Sequence, residues 1–168
     1  VDTLLSESPE ATVVMVDRHH RPGGHWNDAC PFVRLHQPSE WDGVASRDLS
    51  QGSKDTAGAN AGLYGLASGA QVLAYFDQVM RQRFLPTGRV RWLPMSECRV
   101  GPDGEHRVRS LTSGDSQTVM VHRKWVDATH AQTALPSTHP PKYAVADGVD
   151  CIAVNRLPDI RRPYGTYT

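Results

Sequence analysis

The sequence predicts an α/β chain: part of a parallel, helix-covered sheet followed by a small antiparallel meander. Three observations predict it. Val13, Val14, Met15 and Val16 form a continuous apolar run suited to a strand buried on both faces, and Asp17 closes it. A helical repeat over Gly69 to Phe84 sets Val72, Tyr75, Phe76, Val79 and Met80 on one face. Short alternating runs then follow, separated by Gly101-Pro102-Asp103-Gly104 and Ser113-Gly114-Asp115, which are hairpin signals. The strand and helix fit an incomplete Rossmann-like domain, because the second strand of a dinucleotide-binding fold ends on an acid that accepts from ribose hydroxyls.

Taken in chain order, VDTLLSESPE reads as the end of a helix, with Leu4 and Leu5 as its apolar face and Pro9 beyond its terminus. The glycine-rich turn that holds pyrophosphate lies roughly 20 residues before such an acid, which places it ahead of Val1. The chain is therefore expected to begin inside a helix. Arg18 to Ala61 is rich in Gly, Pro, Ser and Asp and reads as a long ordered loop. Ser68 is placed to cap the helix from Gly69 to Phe84, and Pro86 and Gly88 stop it. The meander, about residues 89–122, takes in Val90 to Leu93, Ser96 to Val100, His106 to Leu111 and Gln117 to His122. Lys124 to Ala128 reads as a further strand ending in the Asp127-Ala128-Thr129 turn. The remainder, with Pro136, Pro140, Pro141, Pro158 and Pro163, reads as irregular, and 156–168 as a tail whose Arg156, Arg161 and Arg162 face solvent. Residues 1–155 are expected to form one partial domain.

Composition limits the function. The 168 residues, 39% hydrophobic and 21% charged, suffice for one core. Eighteen basic and eighteen acidic residues cancel, which gives no electrostatic case for a nucleic-acid or membrane partner. Without an apolar run of about 20 residues or a signal peptide, a cytoplasmic location is expected. Cys30, Cys98 and Cys151 are widely spaced and odd in number, which suits a reducing compartment. The eight histidines include His19-His20 but no second pair or cysteine at metal-ligand spacing, so no metal is expected. No Gly-x-Ser-x-Gly elbow or P-loop points to a hydrolase or nucleotidase.

Three segments carry a resemblance to a family. DRHHRPGGHWNDACPFVRLHQPSEWDGVASRDL (Asp17 to Leu49), ASGAQVLAYFDQVMRQRFLPTGRVRWLPM (Ala67 to Met95) and RKWVDATH (Arg123 to His130) resemble FAD-dependent, NAD(P)-linked oxidoreductases of the flavin-containing monooxygenase type. The resemblance covers about residues 1–155 and implies an incomplete Rossmann-like FAD-binding domain. Family members are usually much longer, with a glycine turn for FAD and a second for NADP; this sequence holds no G-x-G-x-x-G. In the intact family NAD(P)H reduces the flavin, which then meets oxygen, and a small-molecule substrate is implied.

The resemblance assigns Asp17 to the ribose and Arg18 to the basic turn that follows. Gly23 and Gly24 carry no Cβ to obstruct a cofactor, and the Gly-Gly-x-Trp stretch implies that they lie along FAD, with His25 and Trp26 as flavin-pocket candidates. The alternative is a tight turn whose tryptophan anchors the loop. Arg34, His36 and Gln37 are candidates for the flavin ring or a substrate, where an arginine would favour the reduced anionic flavin; the alternative is a solvated edge segment. Thr129 matches the family's Ala-Thr-Gly turn between nucleotide domains, with His130 in place of the glycine. No residue is assigned acid or base work. Two readings follow: the FAD-binding portion of a flavoprotein oxidoreductase, or a catalytically inactive flavoprotein-like domain. In the second, an open edge beside Val13 to Val16 favours self-association or a completing chain.

Overall fold

The computed structural model describes residues 1–129 and 139–160. Its centre is a two-stranded parallel sheet of β1 (Val13–Val16) and β4 (Val90–Leu93), in register from Val13 opposite Val90 to Val16 opposite Leu93. Parallel strands need a crossover, and here it runs through α2 (Gly69–Val79). Ser68 caps α2 as its sequence suggested: its hydroxyl accepts from the Gln71 amide at 3.3 Å, and Gln71 Oε1 accepts from the Ser68 amide at 2.8 Å. The helix does not run unbroken to Phe84. A π-helical turn takes over at Met80–Phe84 and a short 3₁₀ turn at Leu85–Thr87, ended by Gly88 in the left-handed conformation. Met80 and Phe84 stay buried through this change.

Tyr75, Val79, Met80, Phe84, Val90 and Leu5 form the core, with Val13, Met15 and Trp92 packed against it. Leu5 comes from α1 (Asp2–Glu7), where Leu4 is exposed, so one leucine of the expected apolar pair faces inward. Likewise β1 is not buried on both faces: Val14 is 40% exposed, because the core covers one side of this small sheet. Among the described residues β1 pairs with β4 alone.

The expected meander loses its first run, since Val90–Leu93 joins the parallel pair. Alternating apolar residues mark a strand but not its partner's direction. The meander is β5 (Ser96–Val100), β6 (His106–Ser110) and β7 (Ser116–Val119), antiparallel in that order. Met95, at φ 47°, turns the chain from β4 into β5. Lys124 to Ala128 is not a strand; nothing pairs with it among the described residues, and Val126 is exposed. The expected tail at 156 begins inside a 3₁₀ helix, Val154–Asp159. His130, Pro136, Arg161, Arg162 and Pro163 lie outside the described residues.

The long loop is ordered by its own hydrogen bonds. Ser39, buried, donates through its hydroxyl to the Gly65 carbonyl at 2.8 Å and accepts from the Ala67 amide at 2.6 Å. A hairpin of β2 (Gly43–Val44) and β3 (Arg47–Asp48) sits on Tyr75, whose hydroxyl accepts from the Val44 amide at 2.7 Å and donates to the Arg47 carbonyl. Asp2, 5% exposed, accepts from the Ser46 amide and hydroxyl, both at 2.8 Å, and from Arg83 at 3.2 Å. It joins the first helix, the hairpin and the π-helical turn.

Candidate functional site

Asp17 is fixed first through its backbone. Its amide donates to the Leu93 carbonyl at 3.2 Å and its carbonyl accepts from the Ser96 amide at 2.9 Å, so β4 and β5 both hold the end of β1. The Asp17 carboxylate is 24% exposed. Its Oδ1 accepts from the His19 amide at 2.9 Å and meets His19 Nδ1 at 2.8 Å. Its Oδ2 has no hydrogen bond among the described residues.

The chain from His19 to Asp28 then closes on itself. His19 Nε2 lies 2.9 Å from Asp28 Oδ2, which ties the end of the strand to the end of a 3₁₀ helix, Gly24–Asn27. Hydrogen bonding to Asp28, supported by Asp17 and opposed by partial burial, raises the pKa of His19 above its ordinary value. Asn27 closes the inner ring: its side-chain amide donates to the Gly24 carbonyl at 3.0 Å and accepts from Arg21 Nε at 3.0 Å. In the sequence His19 stands out only as half of the His19-His20 pair, and Asn27 and Asp28 not at all. The one local signal is an acid followed two residues later by a histidine, a spacing at which the side chain can turn back to the acid.

The two glycines serve different ends. Gly23 has φ +129°, and a Cβ there would lie 2.5 Å from Leu73 Cδ2 on α2. A side chain at Gly23 would have to displace the end of the buried Leu73 side chain. Gly24 has φ +50° with nothing among the described residues within 4 Å of where a Cβ would stand, so its bare face looks onto open space. Trp26 points inward, with Val33, to where a Gly69 Cβ would stand at the start of α2. It also lines a cavity of about 150 Å³ with Leu35, Asp42, Val72, Tyr75 and Phe76. There Asp42 Oδ2 is buried without a hydrogen bond among the described residues. His25 is exposed, its ring 5.5 Å from that of Trp26.

The remaining candidates are not gathered into this turn. Arg18 is exposed beside Asp17. Arg34 bridges to Ser68 in the backbone and donates to the Leu66 carbonyl at 3.0 Å, so its guanidinium is turned toward the loop. His36 and Gln37 are exposed on the same segment. Thr129 is exposed in a turn of its own, where its amide and hydroxyl both donate to Asp127 Oδ1, at 2.9 and 2.6 Å. Those two bonds hold the Asp127 carboxyl below its ordinary pKa. Among the described residues no group of three or more His, Cys, Asp or Glu is arranged to hold a metal, and no helix is long and apolar enough to cross a membrane.

The chain is similar to an uncharacterized protein of Mycobacterium tuberculosis (strain ATCC 25618 / H37Rv), with 50% identity over 159 residues. Uncharacterized proteins of Mycobacterium bovis (strain ATCC BAA-935 / AF2122/97) and of a second Mycobacterium tuberculosis strain (CDC 1551 / Oshkosh) match to the same extent. The match takes in 95% of this chain but spans only 28% of the length of those relatives. No family profile matches the chain. No solved structure matches it.

Proposed function

We propose that the turn from Asp17 to Asp28 is the ribose-facing edge of a dinucleotide site, and that this chain is the FAD-binding portion of an NAD(P)H-dependent flavoprotein oxidoreductase or monooxygenase. The observation that carries the reading is Asp17 itself. It ends a parallel strand linked through a helix to its neighbour, and one carboxylate oxygen has no hydrogen bond within the described protein. An acid in that position accepts well from paired hydroxyls. Gly24 supports the reading, because a bare backbone facing open space admits a ligand closely.

In this reading FAD, when bound, takes hydride from NAD(P)H and delivers electrons to oxygen or a small-molecule substrate. This chain's own part is to bind and orient. Asp17 receives the ribose, Gly24 sets the approach, and His25 is the exposed aromatic beside them. Trp26 anchors the turn from below. Arg18 fits the polar rim; Arg34, His36, Gln37 and Thr129 remain candidates only through the family resemblance. The site belongs to an incomplete Rossmann-like domain working in the cytoplasm.

A second reading is favoured by the edge of β1. With β4 the one partner of β1 among the described residues, the Val14 and Val16 amides face away from the pair by the two-residue period of a strand. Such an edge recruits another strand, from a second copy or a completing chain, and a flavoprotein-like domain without activity would self-associate through it.

Titration with FAD tests the first reading. Saturable quenching of flavin fluorescence with a rise in Tm is expected, and Asp17→Asn should weaken binding about tenfold, the scale of one hydrogen bond to a charged group. A wild-type protein that neither quenches flavin nor gains stability up to high micromolar FAD contradicts it.

A further inference from the structure

We propose that His19, held as an imidazolium between Asp17 and Asp28, is the positioning residue that fixes the strand-end acid and the 24–27 helix in one arrangement. The clamp stands on its own geometry; its effect on binding rests on the cofactor reading above.

Hydrogen accounting carries the argument. Nδ1 lies 2.8 Å from Asp17 Oδ1 and Nε2 lies 2.9 Å from Asp28 Oδ2. An ionised carboxylate only accepts, and a neutral imidazole has one N–H. Both contacts are satisfied together only when both ring nitrogens carry protons. In the neutral ring one carboxylate faces a lone pair, and the two carboxylates lose the positive charge between them.

The structure also indicates which end lets go. Asp17 is retained by the His19 amide and by its backbone bonds to Leu93 and Ser96. Asp28 is 75% exposed at its side chain and can turn to water. Deprotonation therefore releases the Asp28 end and loosens the turn around Gly24. The charged groups facing the ring are Asp17 from its own turn and Asp28 from the end of the 3₁₀ helix. From the segment entering β5 the Met95 amide donates to the His19 backbone carbonyl at 3.0 Å, which holds the residue but does not touch its ring. Arg21 is engaged with Asn27.

The direction in pH follows. With its folded pKa above the unfolded value of about 6.5, His19 holds the clamp fully at pH below that value. The clamp fades as pH rises through the elevated folded pKa.

The test pairs two readouts on the purified protein across the neutral range: ring NMR titration of His19, and FAD affinity by fluorescence. In the wild type His19 should titrate above the ordinary histidine value, and Asp28→Asn should bring it down. FAD affinity should fall about two- to fivefold as His19 loses its proton, the scale of a partly exposed ion pair, and the fall should flatten in Asp28→Asn and His19→Gln. If His19 titrates at or below the ordinary value and does not respond to Asp28→Asn, the clamp is overturned, whether or not FAD binds. An elevated, Asp28-dependent titration with no FAD binding at any pH overturns the cofactor reading and leaves the clamp standing. If FAD affinity follows pH identically in wild type and Asp28→Asn, His19 does not position the site.

Discussion

Gly23 and Gly24 are neighbours with opposite sensitivities. A methyl group on Gly23 would meet Leu73 at 2.5 Å on a backbone that L residues rarely adopt. Gly23→Ala should therefore cost about 2–4 kcal/mol, combining overpacking with backbone strain. Gly24→Ala meets nothing and carries only the left-handed penalty of about 1 kcal/mol. Denaturant unfolding of both variants checks the order, and equal losses would contradict it. Under the cofactor reading Gly24→Ala also weakens FAD although it folds nearly as well as the wild type. The glycine pair is plain in the sequence; the reason for each member is not, because Leu73 arrives from 50 positions along the chain. The place of Asp17 at the end of a strand was legible because the apolar run before it is local, whereas His19 gains its role from Asp28, which a turn must first bring back.

At the scale of elements, the first helix, the hairpin and the π-helical turn are joined at Asp2. Burial pushes the Asp2 carboxyl upward, but the Ser46 hydroxyl and amide and Arg83 outweigh it and hold the pKa below the ordinary carboxylate value. A depressed folded pKa gives stability that is present above the unfolded pKa, about 3.9, and is lost as pH falls through the folded one. Asp2→Asn should cost about 1–3 kcal/mol at neutral pH and flatten that acid limb, which unfolding at a series of pH values would show. Tyr75→Phe leaves the Val44 amide and Arg47 carbonyl without the hydroxyl between them. The expected loss is about 1–3 kcal/mol, with faster amide exchange confined to the β2–β3 hairpin; an unchanged hairpin would contradict the contact. The helix from Ser68 was legible because its cap and apolar stripe are local. The direction of β4 was not, since VRWL alternates equally well in a parallel pair and a hairpin. Lys124 to Ala128 shows a related limit: an extended, partly apolar run does not by itself dock on an edge, and this one joins no sheet although β1 leaves an edge unpaired among the described residues.

For the whole molecule, the two-stranded sheet is the feature that links the fold to the proposed function. Its outer edge at β1 is unpaired among the described residues, and the mycobacterial relatives extend far beyond the matched region, which is 28% of their length. A free edge of this kind predicts concentration-dependent association. Val14→Pro removes an outward amide while sparing the bonds to β4, so it should shift sedimentation toward the monomer; identical sedimentation of wild type and variant would show that the edge is not used. The site itself makes a sharper claim, that a dinucleotide lies against residues 17–28. Amide hydrogen exchange with and without FAD reads this directly. Protection concentrated in residues 17–28, with the β5–β7 meander unchanged, is the result expected, and exchange through that turn that is indifferent to FAD would contradict it.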